Sequence, residues 1–113
     1  MRRRGDIWTA DLSPRSGIEP GKIRPVVLFQ SQILLDIDHP STIIMPLTTN
    51  LIDGAAPLRL RLHARDRLRA DSDVLVDQLR TIDNLRLVDG PIASLTAEEL
   101  DRLQEYSLEV LGA

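Results

Sequence analysis

Hydrophobic side chains in this sequence fall into short runs of strand length, separated by segments rich in glycine, proline, serine and aspartate. The clearest run is Leu58-Arg59-Leu60-Arg61-Leu62, whose period of two predicts a strand with leucines buried on one face and arginines on the other. Similar apolar runs predict strands over residues 5–12, 25–30, 42–48, 72–79 and 91–94. Strands of this length with short connections are typical of an antiparallel sheet.

The last segment of the chain has helical spacing instead. Leucines and valine recur at intervals of a helix face from Leu100 to Leu111, and Thr96 with Glu99 matches a capping box. Gly112 stands where a left-handed C-cap is expected. The predicted fold is therefore mainly β with a C-terminal helix, which packs its leucine face on a partly closed sheet.

Prolines and turn residues divide the strands. Pro25 is expected at the first position of its strand, because it cannot donate to a sheet ladder, and Pro46 predicts an edge position or a bulge. Residues 13–23 contain several proline and glycine steps and predict a long loop, which inside a compact domain is often functional. Further turns are predicted at 36–40, 64–70 (or a short helix there) and 83–87 (or a helical bend there).

Length and composition favour one soluble globular domain over residues 1–113. The chain is 42% hydrophobic and 27% charged, which are ordinary values for a folded domain. It contains no cysteine, so a disulfide framework and a thiolate metal site are excluded, as fits a reducing compartment. No stretch is long and apolar enough to predict a membrane span, and we expect a cytoplasmic protein.

The charge balance leaves a nucleic-acid partner open. The formal net charge of −3 does not favour one, but a local basic patch is sufficient to hold phosphates. Every cation except Lys22 is an arginine, and arginine offers planar, bidentate recognition.

Arg24 is the most distinctive candidate for chemistry. It lies between the flexible loop that ends at Gly21 and the apolar strand that follows Pro25. A charged guanidinium fixed at the mouth of a strand suits a phosphate or a carboxylate. The alternative is that Arg24 pairs with a neighbouring acidic side chain.

The sequence gives little support for a metal site or a Ser–His–Asp triad. His39 and His63 are far apart and lack the spacing of a zinc site, and neither has the context of a Ser–His–Asp triad. Asp36, Asp38 and His39 are typical of a solvated turn. Chemistry that needs no metal remains open, with Arg24 as a fixed positive charge for a phosphate.

Four segments, taken in order, resemble the MazF/PemK family of toxin endoribonucleases. They are Gly5–Pro14, Gly21–Phe29, Pro46–Asn50 and Val74–Asp83. The resemblance covers the chain from Arg4 to about Leu111. It implies an SH3-like, partly closed barrel of the CcdB/PemK-like toxin fold. It also implies a sequence-specific endoribonuclease that cuts single-stranded RNA and acts as the toxin of a type II toxin–antitoxin pair.

The resemblance also implies partners and catalytic residues. Family members are homodimers that bind RNA along the dimer interface, where a segment of the cognate antitoxin blocks the groove. The family's catalytic arginine falls on Arg24 and its catalytic threonine or serine on Thr48. No cofactor and no metal are implied.

Substrate contacts are expected in the loops beside these two residues. By resemblance, Asp77 and Gln78 lie near bound RNA; an Asp77–Arg80 ion pair is the alternative for the first. The loops 13–22 and 50–57 would hold unstacked bases. Together the expected RNA-binding residues are Glu19, Pro20, Gly21, Thr49, Asn50, Asp77 and Gln78.

The chain departs from the family pattern at two positions. Some members have a histidine where this chain has Ile18 and an arginine where it has Leu75, so a mechanism using those groups cannot operate here and the general base is unassigned.

One alternative function is a CcdB-like toxin that binds gyrase without nuclease activity; another is an inert binding module. The arginines from Arg59 to Arg69 either form a solvated face or bind RNA phosphates or an antitoxin.

Overall fold

The computed structural model describes residues 1–13 and 22–113 of the chain. Most of the predicted loop 13–23 therefore lies outside the described residues. The same holds for three of the expected RNA-binding residues: Glu19, Pro20 and Gly21.

The described residues form seven strands and two α-helices. The strands are β1 Asp6–Asp11, β2 Ile23–Leu28, β3 Ser41–Thr48, β4 Arg59–Leu62, β5 Ser72–Leu75, β6 Arg80–Asp83 and β7 Leu87–Ser94. The helices are α1 Gln32–Asp36 and α2 Ala97–Leu111, and short 3₁₀ turns span Val76–Gln78 and Asn84–Arg86.

All pairings between these strands are antiparallel, in the order β4-β5-β3-β2-β1-β7, with β6 also paired to β3. The two ends of this order, β4 and β7, form no ladder with each other in the described part of the chain. The turn after β4 does reach β7, because the N–H of Arg67 donates to the carbonyl of Ile92 at 2.9 Å. The predicted mainly β fold with a partly closed sheet and a C-terminal helix is confirmed.

β3 is the strand on which the sheet divides. It pairs with β2 on one side, while on the other side Ser41–Ile44 pair with β6 and Leu47–Thr48 pair with β5. The carbonyl of Ile43 accepts from Phe29, towards β2. Because backbone groups alternate along a strand, the nitrogen of Pro46 faces the other side, where β6 gives way to β5. A residue without an N–H is accommodated at this gap, so Pro46 lies in a central strand and not at an edge.

Pro25 also lies where the strand needs no N–H donor. It is the third residue of β2 and pairs with Thr9 of β1, so the prediction that it begins the strand was wrong. The ladder between β2 and β3 starts only at Val26. The nitrogen of Pro25 faces the β3 side just before that ladder begins, so its missing N–H leaves no partner unsatisfied.

The alternation of strand side chains gives the sheet a core on each face. The larger core includes Ile7, Val27 and Met45 and is covered by Leu103 of α2; the smaller one lies on the opposite face around Val26. The other members of the smaller core are Ala10, Leu28, Ile44 and Ile82. Half-buried Trp8, Leu12 and Leu87 pack against this smaller core.

Helix α2 begins and ends as its sequence predicts. The Thr96 side chain accepts from the N–H of Glu99, and the Glu99 side chain accepts from the N–H of Thr96, which completes the capping box. Gly112 ends the helix in the left-handed conformation, with φ of 76°. No helix in the described ranges is long and apolar enough to cross a bilayer.

Several elements differ from the sequence prediction. The predicted strand over 72–79 ends at Leu75, where the chain enters the 3₁₀ turn, and β6 and α1 were not predicted. Residues 64–70 form a turn closed by a bridge between Arg65 and Leu68, without a helix.

The contribution of α2 can be tested at Leu103, which is fully buried against the sheet. We expect Leu103→Ala to lower the free energy of unfolding by about 2–5 kcal/mol, because it removes apolar contacts and leaves a cavity. Leu108, which is 45% exposed on the same helix, is the matched control, with an expected loss below about 1 kcal/mol. Urea unfolding at one fixed protein concentration measures both. Equal losses would contradict the packing described here.

Candidate active site

Arg24 and Thr48 come together at the open end of the β2–β3 pair. The ladder aligns Val26 with Pro46, and the same register continued by two residues sets Arg24 opposite Thr48. Opposite residues of an antiparallel pair project from the same face. Both residues line one pocket of about 200 Å³, together with Pro25, Leu47, Thr49 and Ser72. This is the face that α2 leaves uncovered.

The guanidinium of Arg24 has no partner among residues 1–13 and 22–113. Its side chain is exposed, and within the described part of the chain it forms no hydrogen bond and no ion pair. The alternative that Arg24 pairs with a neighbouring acid is therefore not realised among these residues. A guanidinium carries five N–H donors that could bind an anion.

The Thr48 hydroxyl is oriented by the backbone that follows it. Its Oγ1 accepts a hydrogen bond from the N–H of Asn50 at 3.1 Å. A threonine hydroxyl has one proton to donate in addition to its lone pairs, and the Asn50 contact does not use that proton. Thr48 is half-buried at the end of β3. Its hydroxyl thus accepts from the backbone and retains a proton that it could donate within the pocket.

A second pocket adjoins Arg24 on its other side. It has a volume of about 220 Å³ and is lined by Arg24, Lys22, Gln78 and Arg80, with Leu12 and Pro46. Its three cations and one amide, with an apolar floor, could hold a phosphate beside a nucleobase. Gln78 is therefore brought to the same place as Arg24.

Asp77 and the residues after Thr48 lie around these pockets. Asp77 is exposed in the 3₁₀ turn, lines neither of the two Arg24 pockets described above, and forms no salt bridge with Arg80, both being described residues. Thr49 lines the first pocket, whereas the side chain of Asn50 is exposed beside it.

Asp73 was not singled out from the sequence. It lies on β5 opposite Thr48, is only 1% exposed, and accepts hydrogen bonds from Arg59, Arg61 and the N–H of Ile52. The signal was present in the chain, since an acid stands within an apolar strand and two alternating arginines stand in the strand before it. Their pairing depended on which strands became neighbours.

These hydrogen bonds keep Asp73 ionised. Burial alone would raise the pKa of its carboxyl, but the hydrogen bonds from Arg61, the Ile52 N–H and Arg59 together hold that pKa below its ordinary value of 3.8. Arg61 also donates to Asp53 at 2.8 Å, and its pKa is raised by the hydrogen bonds to both carboxylates.

The remaining arginines of the Arg59–Arg69 run are mostly paired. Arg65 forms two hydrogen bonds with Glu99, which ties the turn after β4 to the start of α2, and the first cause of the lowered Glu99 pKa is this contact. Arg67 donates to Asp89 at 2.9 Å. The run is therefore a set of ion pairs more than an open basic surface.

The histidines do not join the site. His63 is exposed, with its Nδ1 3.8 Å from a carboxylate oxygen of Asp71, and His39 lies in the turn after α1. Among residues 1–13 and 22–113, no group of three or more histidine or acidic side chains is arranged to hold a metal ion.

Comparison with known proteins identifies relatives over nearly the whole chain. The model of a family described as "PemK-like, MazF-like toxin of type II toxin-antitoxin system" matches residues 3–111. Endoribonuclease EndoA of Bacillus subtilis is 36% identical over 104 residues, which cover 91% of this chain and 88% of that protein. Endoribonuclease MazF of Staphylococcus saprophyticus is 38% identical over 88 residues, covering 77% of this chain and 72% of that protein.

Solved structures share the fold. A crystal structure of MazE–MazF from Deinococcus radiodurans superimposes with a TM-score of 0.79 at 21% identity, covering 98% of this chain and 96% of that one. The toxin MazF-mt6 of Mycobacterium tuberculosis gives 0.77 at 22% identity, covering 95% and 96%. The sheet and its C-terminal helix are thus those of MazF structures.

The electrostatics of Asp73 predict a pH-dependent contribution to stability. At pH 7 we expect Asp73→Asn to lower the free energy of unfolding by about 1.5–3 kcal/mol, because the hydrogen bonds of two partly exposed arginines to a charged carboxylate are lost or weakened. Since the folded pKa lies below the unfolded one, the stabilisation is fully present above about pH 4 and is lost as the pH falls through the folded pKa. Urea unfolding of both proteins from pH 7 to pH 3 measures the difference. A difference that stays constant over this range would contradict the assignment.

Proposed function

Because the chain belongs to the family of PemK-like and MazF-like toxins of type II toxin–antitoxin systems, we propose that it is a sequence-specific, metal-independent endoribonuclease that cuts single-stranded RNA, including mRNA. The observation that carries the proposal is the pocket that Arg24 and Thr48 both line, in which the Arg24 guanidinium has no acidic partner among the described residues and the Thr48 hydroxyl accepts from the N–H of Asn50. The relatives named as endoribonucleases support the activity.

The reaction in this proposal is a phosphoryl transfer within the RNA. The substrate's 2′-oxygen attacks the adjacent phosphorus and loses its proton, a new O–P bond forms, and the bond to the 5′-oxygen breaks as that oxygen gains a proton. Negative charge on the phosphate oxygens has to be neutralised as the transition state forms. Arg24 provides a fixed positive charge for this purpose, and Thr48 donates its hydroxyl proton to a phosphate oxygen.

The departures from the family pattern place more of the reaction on these two residues. Leu75 is 6% exposed at the end of β5, so the position at which some family members have an arginine is apolar in this chain. Ile18, at the position of a histidine in some members, lies outside the described residues. In this proposal Arg24 and Thr48 contribute charge and a proton donor, and positioning of the RNA contributes the alignment of the 2′-hydroxyl.

Bases next to the cut would be held by residues around the two pockets. Gln78 offers an amide that both donates and accepts, and Thr49 and Asn50 follow directly on Thr48. Asp77 is available from the adjacent turn. Glu19, Pro20 and Gly21 are proposed to contact RNA from the loop that precedes β2.

We also propose the partners that the family implies. A homodimer would place RNA along its interface, and a cognate antitoxin would block the same groove. The structures of MazE–MazF from Deinococcus radiodurans support an antitoxin partner. The chain would act on RNA in the cytoplasm as one toxin domain over residues 1–113.

The catalytic assignments predict large rate losses without loss of fold. We expect Arg24→Ala to slow cleavage by roughly 10²–10³-fold, as does removal of one donor from an oxyanion site, and Thr48→Ala to slow it similarly. Both side chains lie outside the two cores, so the melting temperatures should change little. The measurement is cleavage of a long defined RNA in the presence of EDTA, with the product ends mapped and tested for a 2′,3′-cyclic phosphate.

Arg102→Ala is the matched control for the loss of an arginine. Arg102 is exposed on α2 and, in the part of the chain that the structure describes, pairs with Glu98 alone. The control should cut at the wild-type rate. Wild-type cleavage that needs added metal would contradict metal independence. Intact RNA with wild-type protein, together with toxicity in cells that survives Arg24→Ala, would favour the CcdB-like alternative of gyrase binding.

A further inference from the structure

The segment that follows Thr48 is tied to the sheet at three points. The carbonyl of Asn50 accepts from Arg59 Nη1 at 2.8 Å, the N–H of Ile52 donates to Asp73 at 3.0 Å, and the Asp53 carboxylate accepts from Arg61 at 2.8 Å. All three contacts meet at one buried carboxylate, because both arginines also donate to Asp73. We name Arg59, Arg61 and Asp73 the loop clamp.

The loop clamp is continuous with the Thr48 hydroxyl. Arg59 Nη1 donates to both Asp73 and the Asn50 carbonyl, and the N–H of the same Asn50 donates to Thr48 Oγ1. Backbone planarity couples the peptide groups on either side of Asn50 to two soft dihedral angles. Fixing the carbonyl of Asn50 and the N–H of Ile52 therefore restricts where the N–H of Asn50 can point.

The buried position of Asp73 carries a desolvation cost. Asp73 stands within β5 with 1% of its surface exposed, where a hydrophobic residue would complete the strand at no desolvation cost. The carboxylate is instead retained beside Thr48, which is its partner in the β3–β5 ladder. Its lowered pKa keeps it charged at neutral pH, so the clamp is complete under working conditions.

We propose that Asp73 is a positioning residue for Thr48, acting through Arg59 and the backbone of Asn50. The inference rests on the proposed nuclease function. With the Asn50 N–H held against one lone pair of Thr48 Oγ1, the remaining hydroxyl proton points into the pocket shared with Arg24. Without the clamp, residues 50–53 move, the Asn50 N–H leaves the hydroxyl, and Thr48 samples orientations that do not donate to the phosphate.

Asp73→Asn tests the proposal with little change of shape. The carboxylate of Asp73 accepts from three N–H donors, whereas an asparagine amide would place its own NH₂ group against at least one of them. At least one contact of the clamp is therefore lost. We expect kcat for RNA cleavage to fall roughly 10- to 100-fold, because small misplacements of a reacting group carry losses of this order. We expect the fall in kcat to exceed the rise in KM, since Thr48 acts on the phosphate in the transition state and Asn50 is the one proposed RNA contact in the segment that moves.

A double-mutant cycle separates positioning from simple destabilisation. In the Thr48→Ala background the hydroxyl is already absent, so adding Asp73→Asn should slow cleavage by no more than about twofold. The four proteins are compared in single-turnover reactions with enzyme in excess, well below every melting temperature. Equal losses in the two backgrounds would overturn the proposal.

Glu99→Gln is the control for a broken arginine–carboxylate pair. It removes the Arg65 contact at the start of α2, away from the Thr48 loop, and should lower stability while leaving kcat unchanged. A fall in kcat as large as that of Asp73→Asn would contradict a specific role for the clamp. Should Asp73→Asn not fold, Arg59→Met takes its place in the same cycle, because it removes the Asn50 contact and leaves Arg61 on Asp73.

The failures of the two proposals are distinguishable. Wild-type protein that cuts no RNA, or Thr48→Ala protein that cuts as fast as wild type, would contradict the proposed function. Wild-type cleavage that is slowed by Thr48→Ala but not by Asp73→Asn would contradict the positioning role alone.

Discussion

The pairing of β2 with β3 is the constraint on which the candidate site depends. Antiparallel register aligns Val26 with Pro46 and so sets Arg24 opposite Thr48, although the two residues lie far apart in sequence. Two prolines define where this pairing can occur. Pro25 stands just before the ladder begins, and Pro46 stands where the other neighbour of β3 changes from β6 to β5. The same positions that would weaken a regular sheet leave its end open, and the pocket forms there.

The larger core and the candidate site lie on opposite faces of the sheet. Helix α2 covers one face and completes the larger core, whereas the opposite face has a smaller core and carries Arg24 and Thr48 at its rim. Charge is divided in the same way. Most arginines of the Arg59–Arg69 run are neutralised by acids and serve to fasten loops, while Arg24 faces the pocket without an acidic partner among the described residues. A chain with net negative charge can therefore present a positive site to a phosphate.

Sequence patterns predicted what depends on neighbouring residues. The alternation over 58–62 identified β4 and its buried leucines Leu60 and Leu62, and the capping box located the start of α2. Arg24 and Thr48 were identified by motif and resemblance, and the structure brings them together. Features that depend on distant contacts were not predicted. Strand β6 forms by pairing with β3, and β5 stops at Leu75 because the chain turns under α2. Asp73 contacts Arg59 and Arg61 only because β4 pairs with β5. The five-residue helix α1 is too short for periodicity to reveal.

The central claim is that the RNA supplies its own nucleophile and that Arg24 and Thr48 act on the adjacent phosphate. The most direct measurement uses a synthetic RNA that contains one mapped cut site, with a single 2′-deoxynucleotide on the 5′ side of the scissile phosphate. Cleavage is compared with that of the all-ribose RNA, and binding of both is measured with the Arg24→Ala protein. If the 2′-hydroxyl is the nucleophile, the deoxy substrate binds with similar affinity and is not cut at that position. Cleavage at the same bond and rate would show that a water molecule or a protein group is the nucleophile, and would contradict the account.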